Sequence, residues 1–546
     1  MNTVKLLCLA LTLTSLQAAT ATYDLIVYGA TAGGVATAVS AARSGLKVAL
    51  LEPRRNIGGM ASGGLQRTDV GRREVIGGMA LEFYGRAAVK YNMSRYLHDV
   101  AWLMEAHVAE TIFKEMLKED GVPVFLHRRL REKNGVIKDG TAIREIITEN
   151  GDIYRAKIFA DATYEGDLMA QAKVSFTWGR ESSKDYNESL AGVRTKTPKH
   201  QFVVKLTGRD AQGKLLPEIQ PDKLGNEGDG DRKVQAYNFR LVLTQDKSNQ
   251  VPFPKPAGYN PKRYELLAQL IAALEKKAAG RPLHYREFFG VGFIPNHKAD
   301  FNNYGGFSTD YLGKSWDYPN ATYARRDEIW RDHTEYTQGL FWFLAHDPRV
   351  PKSLQDDINS WGLSKDEFTD NNHWPHQLYI REARRMIGEY VMSQKDIQTE
   401  RIKPDAIGMG SYNSDSHNVQ RIIGPDGFVF NEGDMQVPVQ PYQIPYRMIT
   451  PKRAESTNLL VPVCFSATHV AYSTLRMEPQ YMIIGQAAGI AAKMAIDGNK
   501  PVQSIDTDQL NKALRNQGAI MEYTPTPGGP ALNRIRRLLP PPPRVQ

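Results

Sequence analysis

The chain has 546 residues, which is too long for one compact core, so two or three lobes are expected. Its content of 41% hydrophobic and 24% charged residues is that of an ordinary soluble globular protein. The formal net charge of +9 is compatible with acidic substrates, but it is spread along the sequence, and no basic block interleaved with aromatic residues predicts nucleic-acid binding.

The N-terminal segment, residues 1–21, is typical of a secretory signal peptide. Lys5 precedes an apolar stretch from Leu6 to Leu16, and Ala19-Thr20-Ala21 offers small residues at a cleavage point. The apolar stretch is too short to span a membrane as a helix. We therefore expect a secreted or periplasmic protein without stable membrane insertion, in which Cys464 is the remaining cysteine and no internal disulfide can form.

Residues 23–52 carry the pattern of a dinucleotide-binding unit, which is strand, glycine turn, helix, strand and acid. Gly29 permits the tight turn after an apolar strand, and Gly34 allows the helix to pack closely on that strand. The first helical turn then offers free N–H groups to a pyrophosphate. Glu52, 23 residues after Gly29, stands where a ribose hydroxyl is bound. Thr31 replaces the middle glycine of the motif, but the complete arrangement still predicts FAD or NAD; the alternative is a β-α-β unit without a ligand.

A glycine-rich stretch follows at residues 53–64. Gly58, Gly59, Gly63 and Gly64 fall within seven residues, which makes a poor helix or strand and suits a backbone that lies against a flat or phosphorylated ligand. The alternative is a flexible surface loop, but the position directly after the second strand favours the ligand.

The middle of the chain changes character. A strand from Ala156 to Ala160 ends in the polar turn 161–167, and ligands bind outside the carboxyl ends of parallel strands. Beyond this turn, amphipathic strands at Phe202 to Leu206 and Tyr237 to Leu243, followed by long helices, predict an inserted cap or substrate lobe.

The first lobe resumes late in the sequence. Leu459 to Val463 is a buried strand, and Pro479 to Ala495 is an apolar helix that is rich in glycine and alanine. The N-terminus of this helix favours flavin over nicotinamide, since it would stabilise the anionic reduced flavin by about 0.3–2 kcal/mol. The alternative is that the glycine and alanine pattern serves packing against the sheet. The helix can have both roles.

Together these segments resemble the bacterial FAD-dependent oxidoreductase family, some members of which are labelled xanthan lyase-like. The resemblance covers nearly all of the chain from Tyr23 to about Asn499. It is carried by the motifs YGATAGGVATAVSAARSG, LLEPRRNIGGMASGGL, ADATYEGDLMAQA, FSTDYLGKSWDYPNATYARRDEIW, LYIREARRMIGEYVMSQKDI, SYNSDSHNVQRI and LLVPVCFSATHVAYSTLRMEPQYMIIGQAAGIAA.

The resemblance implies an α/β fold, with a Rossmann-like FAD-binding domain of the two-dinucleotide type, a parallel sheet and an inserted α+β lobe. The expected divisions are a signal peptide at 1–21, FAD-binding parts at 22–174 and 397–500, the inserted lobe at 175–396, and a C-terminal helix with a proline-rich tail at 501–546.

The resemblance also implies a set of cofactor contacts for noncovalently held FAD. The ADP half would be held by Gly29, Thr31, Gly33, Gly34, Glu52, Gly58, Gly59 and Met60. The ribityl chain and flavin would lie along Ser62, Gly64, Thr163, Glu165, Ser466 and the turn before Gln480, with the adenine near Leu130.

Candidate catalytic groups precede the late helix. His469 could take a substrate hydroxyl proton while hydride leaves to flavin N5, although a structural role for this residue is equally compatible with the sequence. Arg476 could hold a carboxylate or steady the reduced flavin, with Tyr472 close by. Cys464 is better interpreted as a small buried hydrophobe than as a reactive thiol.

A second polar cluster, Tyr412, Asn413, Asp415, His417 and Asn418, could bind a sugar-like substrate. Its alternative interpretation, as ordinary turn residues, is the one the sequence favours.

No metal site is expected, since Trp374 and Pro375 between His373 and His376 prevent a helical pair of ligands. The sequence has no Gly-x-Ser-x-Gly nucleophile elbow at the right place, so it does not indicate a hydrolase.

The leading hypothesis is an FAD-dependent oxidoreductase that exchanges hydride between flavin N5 and a small polar, possibly carbohydrate-derived substrate, with an unknown electron acceptor. One alternative is a flavin-containing carbon–oxygen lyase acting on a polysaccharide or uronate. Another is a secreted carbohydrate-binding protein in which FAD is structural.

Overall fold

The structure is a computed structural model, and it describes residues 20–93, 100–195, 197 and 199–524. Most of the predicted signal peptide and all of the proline-rich tail lie outside the described residues. Export therefore stays a prediction. Within the described ranges, no helix combines the length and apolar character needed to cross a membrane.

The described residues form short strands and longer helices. The strands are β1 (Thr20–Tyr28), β2 (Val48–Leu51), β3 (Val124–Phe125), β4 (Val136–Asp139), β5 (Ala142–Ile147), β6 (Ile153–Asp161), β7 (Phe176–Thr177), β8 (Leu241–Thr244), β9 (Gln250–Val251), β10 (Phe289–Ile294), β11 (Lys298–Asn303), β12 (Gly362–Ser364), β13 (Arg385–Met386), β14 (Ala406–Gly410), β15 (Ser414–Ser416), β16 (Gln420–Ile423), β17 (Val429–Glu432), β18 (Met435–Val437), β19 (Tyr442–Pro445) and β20 (Leu459–Leu460). The α-helices are α1 (Ala32–Arg43), α2 (Met60–Gly63), α3 (Gly78–Lys90), α4 (Ala106–Glu119), α5 (Asp167–Gln171), α6 (Glu265–Ala278), α7 (Tyr323–His346), α8 (Lys352–Asn359), α9 (Gln394–Gln398), α10 (His469–Leu475), α11 (Glu478–Asp497) and α12 (Thr507–Asn516).

The first sheet is built around β1. Strands β3, β2, β1 and β6 run parallel in that order, and β20 pairs parallel with the end of β6. Strands β4 and β5 extend the sheet as an antiparallel hairpin beside the beginning of β6. The apolar ends of β1, β2 and β6 are buried, which is typical of parallel strands covered on both faces. The predicted Rossmann-like sheet is therefore present, and β20 returns to it from far along the chain.

Helices α1 and α11 pack side by side and point the same way. A Cβ atom on Gly485 would lie 2.2 Å from the carbonyl oxygen of Gly33, and one on Gly489 would lie 2.5 Å from that of Thr37. The small residues predicted in the late helix thus let the two backbones touch. Since contacts advance in step along both helices, the two N-termini lie together at the carboxyl edge of the sheet.

The inserted region forms its own lobe. Its five-stranded antiparallel sheet has the order β10-β11-β8-β12-β9, accompanied by α6, α7 and α8. Strands β7 and β13 pair antiparallel, so the two ends of the predicted insertion leave the first lobe side by side.

Two local predictions differ from the structure. Phe202 to Leu206 is not a strand, because the chain bends at Val203 and Val204; the carbonyl of Leu206 accepts a hydrogen bond from the amide of Val429, the first residue of β17. The glycine-rich stretch contains a single helical turn, α2, flanked by Gly59 and Gly64 in positive-φ conformations.

Candidate active site

A cavity of about 1100 Å³ opens at the carboxyl edge of the parallel sheet. We call it the large cavity. Gly29, Glu52 and Thr163 line one side of it, and residues from one face of α7 line the other. Its volume is at the upper end of the range for small-molecule and cofactor sites. It therefore lies between the two lobes rather than within either one.

The turn at Gly29 is tightly confined. Its φ of +103° and a Cβ position 2.7 Å from the amide nitrogen of Thr163 both exclude a side chain. A Cβ on Gly34 would lie 1.9 Å from the carbonyl oxygen of Gly29, so the helix begins in direct contact with the turn. Helical geometry leaves the first amides of α1 without internal partners, as pyrophosphate binding requires.

Thr31 explains how the motif tolerates a missing glycine. Its hydroxyl accepts a hydrogen bond from the amide of Gly34 at 3.1 Å and donates to the carbonyl of Ala162 at 2.8 Å. The side chain therefore caps α1 and ties the turn to the end of β6.

Glu52 is buried at the end of β2 and lines the large cavity. Its carboxylate accepts hydrogen bonds from the amides of Ala30 at 2.7 Å and Arg54 at 2.8 Å. Burial raises its pKa to about 7, against the opposing effect of these two bonds. The acid thus organises the glycine turn while keeping lone pairs for a ribose hydroxyl.

The glycine-rich segment packs against its own protein as well as facing the cavity. A Cβ on Gly58 would lie 2.5 Å from the ring of Phe113, and one on Gly59 would lie 2.4 Å from the hydroxyl of Tyr164. That hydroxyl accepts from the amide of Met60 at 2.9 Å and donates to Glu478 at 2.7 Å. The glycine-rich segment is therefore joined to the N-terminus of α11.

Several buried polar atoms around these segments have no partner among the described residues. They are the side-chain amide nitrogen and oxygen of Gln480 and of Gln66, one carboxylate oxygen of Glu478, the side-chain amide nitrogen of Asn56 and the indole nitrogen of Trp374. A buried unpaired polar group is costly, so such a set indicates a missing polar ligand. The polar edge of a flavin offers the donors and acceptors that this set lacks, and the confined glycine turn fits a dinucleotide. The residues present therefore fit FAD.

The remaining predicted cofactor contacts divide into three groups. Thr163 and Glu165 line the large cavity, where Glu165 accepts a hydrogen bond from Tyr318 at 2.9 Å. Leu130 and Ser466 are fully buried and do not line it: the amide of Leu130 donates to the Tyr28 hydroxyl, and Ser466 bonds to the backbone of Tyr390. Gly33 and Ser62 are buried close to the glycine turn and within α2.

The three predicted catalytic residues are not brought together at one cavity. His469 is 3% exposed and its Nδ1 lies 2.7 Å from a carboxylate oxygen of Glu382, while burial lowers its pKa to about 3. The hydroxyl of Tyr472 bonds to that of Tyr481 at 2.9 Å inside the core. Arg476 alone reaches a cavity. The surroundings of His469 and Tyr472 therefore do not support a catalytic role.

The cavity that Arg476 reaches has a volume of about 580 Å³, and we call it the polar cavity. Asp415, His417 and Tyr412 of the second predicted cluster line it. The sequence favoured the interpretation of these residues as ordinary turn residues. That role alone does not account for the position of these three side chains in the lining of a cavity. The polar cavity also contains residues that no local pattern indicated, namely Asp69, Lys199, His200, Arg240 and Tyr379.

Two paired segments separate the cavities. The amide of Tyr379 donates to the carbonyl of Asn238 at 2.9 Å. In the first segment, Phe239 lines the large cavity and Arg240 lines the polar cavity. In the second segment, Gln377 lines the large cavity and Tyr379 lines the polar cavity.

Two residues that line the polar cavity adjoin the segments predicted to lie along the flavin. A Cβ on Gly64 would lie 2.7 Å from the carbonyl oxygen of Arg240, and Arg476 stands two residues before α11 begins.

One group of possible metal ligands is already neutralised. Ligand atoms of Glu105, His107 and Glu367 lie within 4.8 Å of one another. The ammonium of Lys298 lies 2.5 Å from Glu105 and 2.9 Å from Glu367, so this cluster has its own buried cation.

Comparison with solved structures finds partial likenesses. They include an anhydrotetracycline hydroxylase from Streptomyces rimosus (11% identity, 34% of this chain and 42% of that chain, TM-score 0.24). They also include a flavoprotein/dehydrogenase from Cytophaga hutchinsonii (17%, 30% and 44%, TM-score 0.22) and a p-nitrophenol 4-monooxygenase from Pseudomonas putida (16%, 30% and 45%, TM-score 0.21). The chain spans less than half of the length of each. A search of curated protein sequences gave no significant match.

A family model gives a much more complete match. It describes FAD dependent oxidoreductases and matches residues 24–514. The match confirms the predicted family, the Rossmann-like flavoprotein fold, the enzymatic character and FAD as the cofactor. The chain belongs to the FAD dependent oxidoreductase family.

Proposed function

We propose that this enzyme exchanges a hydride between FAD and a small, hydroxyl-rich substrate, such as a carbohydrate derivative, that binds in the polar cavity. The observation that carries the proposal is that Arg240 and Arg476, which line this cavity, adjoin Gly64 and the start of α11. Bound FAD supplies a two-electron acceptor or donor. The chain's own residues bind the substrate, orient it and exclude water.

The charges of the polar cavity favour a neutral, hydroxyl-rich molecule. Its charged lining side chains are three cations, Lys199, Arg240 and Arg476, and three anions, Asp69, Glu287 and Asp415. Hydroxyl groups both donate and accept hydrogen bonds, so they suit a wall in which donors and acceptors alternate. One carboxylate oxygen of Asp415 and Nδ1 of His200 are buried and unpartnered among the described residues. These atoms are available to substrate hydroxyls.

The guanidinium of Arg476 is held firmly in this wall. It donates to the carbonyl oxygen of Asp415 at 2.6 Å and to the hydroxyl of Tyr379 at 3.0 Å. Two of its five N–H groups are thereby used, and a third contacts Asp415 at 3.2 Å. The remaining N–H groups can hold a substrate oxygen in a fixed direction.

The other end of the polar cavity is apolar. Phe202, Val203, Leu270, Leu274 and Tyr304 line it, and Val203 and Tyr304 are 63% and 52% exposed. Such a surface suits the C–H face of a sugar ring or an apolar substituent. The cavity as a whole thus fits an amphipathic ring with hydroxyls at one edge.

The test is an anaerobic screen of sugars, sugar acids and other polyols for loss of the absorbance of oxidised flavin. We expect at least one polyol to bleach the bound flavin. Asp415→Asn should weaken the apparent affinity for that substrate about tenfold, since it weakens a charge-assisted hydrogen bond worth about 1.5 kcal/mol. Asp426→Asn is the matched control, because Asp426 is exposed in a turn far from the cavity lining.

Two results would contradict this proposal. An unsaturated product formed without flavin bleaching would indicate lyase chemistry. Carbohydrate binding with neither bleaching nor product would indicate that FAD is structural.

A further inference from the structure

The polar cavity contains a histidine with the surroundings of a general base. The inference rests on the proposed function, because it concerns how a substrate hydroxyl in that cavity loses its proton. Two histidines line the cavity, His200 and His417, with ring centroids 6.0 Å apart and ring planes only 10° apart. Only His417 has a carboxylate partner for its ring.

Asp310 sets the tautomer of His417. Nδ1 of His417 lies 2.7 Å from a carboxylate oxygen of Asp310, and both side chains are almost fully buried. Although burial alone would raise the pKa of Asp310, Arg381 at 2.9 Å and His417 bring it below its ordinary value. An ionised Asp310 can only accept, so Nδ1 of His417 carries the proton and Nε2 keeps its lone pair.

Nε2 of His417 is free to act on a ligand. A carboxylate oxygen of Asp415 lies 3.9 Å from Nε2, which is beyond hydrogen-bond distance. Among the described residues, none forms a hydrogen bond with this nitrogen. The backbone amide of His417 donates to the side-chain oxygen of Gln235 at 3.1 Å. Both the backbone and the ring of His417 are therefore held by hydrogen bonds.

Burial keeps His417 neutral at the pH where it would act. Burial, followed by the charge of Arg381, lowers its pKa to about 4, while Asp310 and Asp415 oppose the shift. A base must be unprotonated before it can accept a proton, and this imidazole meets that condition at neutral pH.

We propose that His417 and Asp310 form a catalytic dyad for oxidation of a substrate alcohol. His417 Nε2 accepts the hydroxyl proton as the O–H bond breaks, the C–H bond gives its hydrogen with both electrons to FAD, and a C=O bond forms. The substrate thus loses two electrons and two hydrogens, one as a proton and one as a hydride. Asp310 is a positioning residue that holds the ring and stabilises the imidazolium.

The test is the rate of anaerobic flavin reduction by an active polyol. His417→Gln should lower the rate at saturating substrate about 100-fold or more, the usual contribution of a general base, with substrate affinity changed much less. Added imidazole should restore part of the rate in His417→Ala. Neither effect is expected of a histidine that only supports the fold.

The pH profile gives a second measurement. The wild-type rate should fall as the pH drops through the pKa of His417, about 4. In Asp310→Asn the rate should be lower, and this acid limb should move to lower pH, because the charge of Asp310 raises the pKa of His417.

His346→Gln is the control, since His346 is exposed at the end of α7 and bonds only to the carbonyl of Trp342. FAD content and melting temperature identify variants that fail to fold. A wild type bleached by a polyol and a folded His417→Gln variant that is reduced equally fast would overturn the dyad alone. A wild type that no polyol bleaches would contradict the proposed function, and the dyad with it.

Discussion

At Gly29 the backbone conformation and the close contacts both exclude a side chain. Its positive φ disfavours any L-residue, and its Cβ position is occupied by the backbone of Ala162 and Thr163. Gly45, at the other end of α1, has a similar φ of +86° but nothing within 4 Å of its Cβ position. Substitutions at Gly29 and Gly45 therefore distinguish the effect of a strained backbone from the effect of displacing the glycine turn.

Gly29→Ala should lower the affinity for FAD at least tenfold, because the turn must move away from β6 to relieve the contact. Gly45→Ala should lose stability through backbone strain of about 1–3 kcal/mol while it keeps its FAD. Flavin fluorescence after gel filtration measures the retained cofactor, and thermal melting measures stability. Equal FAD retention in the two variants would show that the contact at Gly29 has no role in cofactor binding.

Helix α7 is the element that joins the inserted lobe to the cofactor site. Residues spaced three and four apart along it line the large cavity over four turns, about 22 Å at the usual helical rise: Tyr323, Arg326, Asp327, Trp330, Arg331, Thr334, Glu335 and Gln338. The guanidinium of Arg54 lies 3.6 Å from the ring centroid of Trp330, across the opening. One face of this helix therefore closes the cavity over the glycine turn.

Trp330→Ala should speed the release of FAD about tenfold, since it removes the stacked ring and a cation–π contact worth about 0.5–2 kcal/mol. Trp342→Ala, on the same helix but outside the cavity lining, should release FAD at the wild-type rate. Dilution into apoprotein scavenger or dialysis followed by absorbance measures the release. If both variants release FAD alike, α7 does not retain the cofactor.

At the scale of the whole molecule, we expect FAD to bind where the inserted lobe meets the first lobe. A ligand held only by the native state raises its stability by about 2.7 kcal/mol at 100 times its dissociation constant. Both the ADP half and the flavin half have predicted contacts, and four of the eight for the ADP half, Gly29, Thr31, Glu52 and Gly59, line the large cavity.

Removal of FAD should therefore lower the melting temperature, and added FAD should restore it. FMN, which lacks the adenylate half, should restore much less, because it cannot bridge the glycine turn and α7. Thermal melting of the apoprotein with each nucleotide measures the difference. Equal protection by FMN would place the binding energy elsewhere.

Much of the fold was predictable because its determinants are local. The strand, glycine turn, helix and acid of residues 23–52 lie within one continuous segment, and the structure has β1, α1 and β2 there. Helix α11 begins and ends within two residues of its predicted bounds, 479–495, since its apolar spacing is a local property. The family and FAD followed from the same segments and are confirmed by the family match.

The position of the polar cavity was not predictable in this way. Asp310 and His417 are 107 residues apart in sequence, and Arg54 meets Trp330 across two lobes. His469 stands next to the flavin helix in sequence, yet packing seals it against Glu382.

The sequence by itself thus determined the dinucleotide unit and the cofactor, because hydrogen bonding and apolar periodicity act between near neighbours along the chain. Only the tertiary structure decided which polar side chains share a cavity. That choice depends on how distant segments pack, and no local pattern records it.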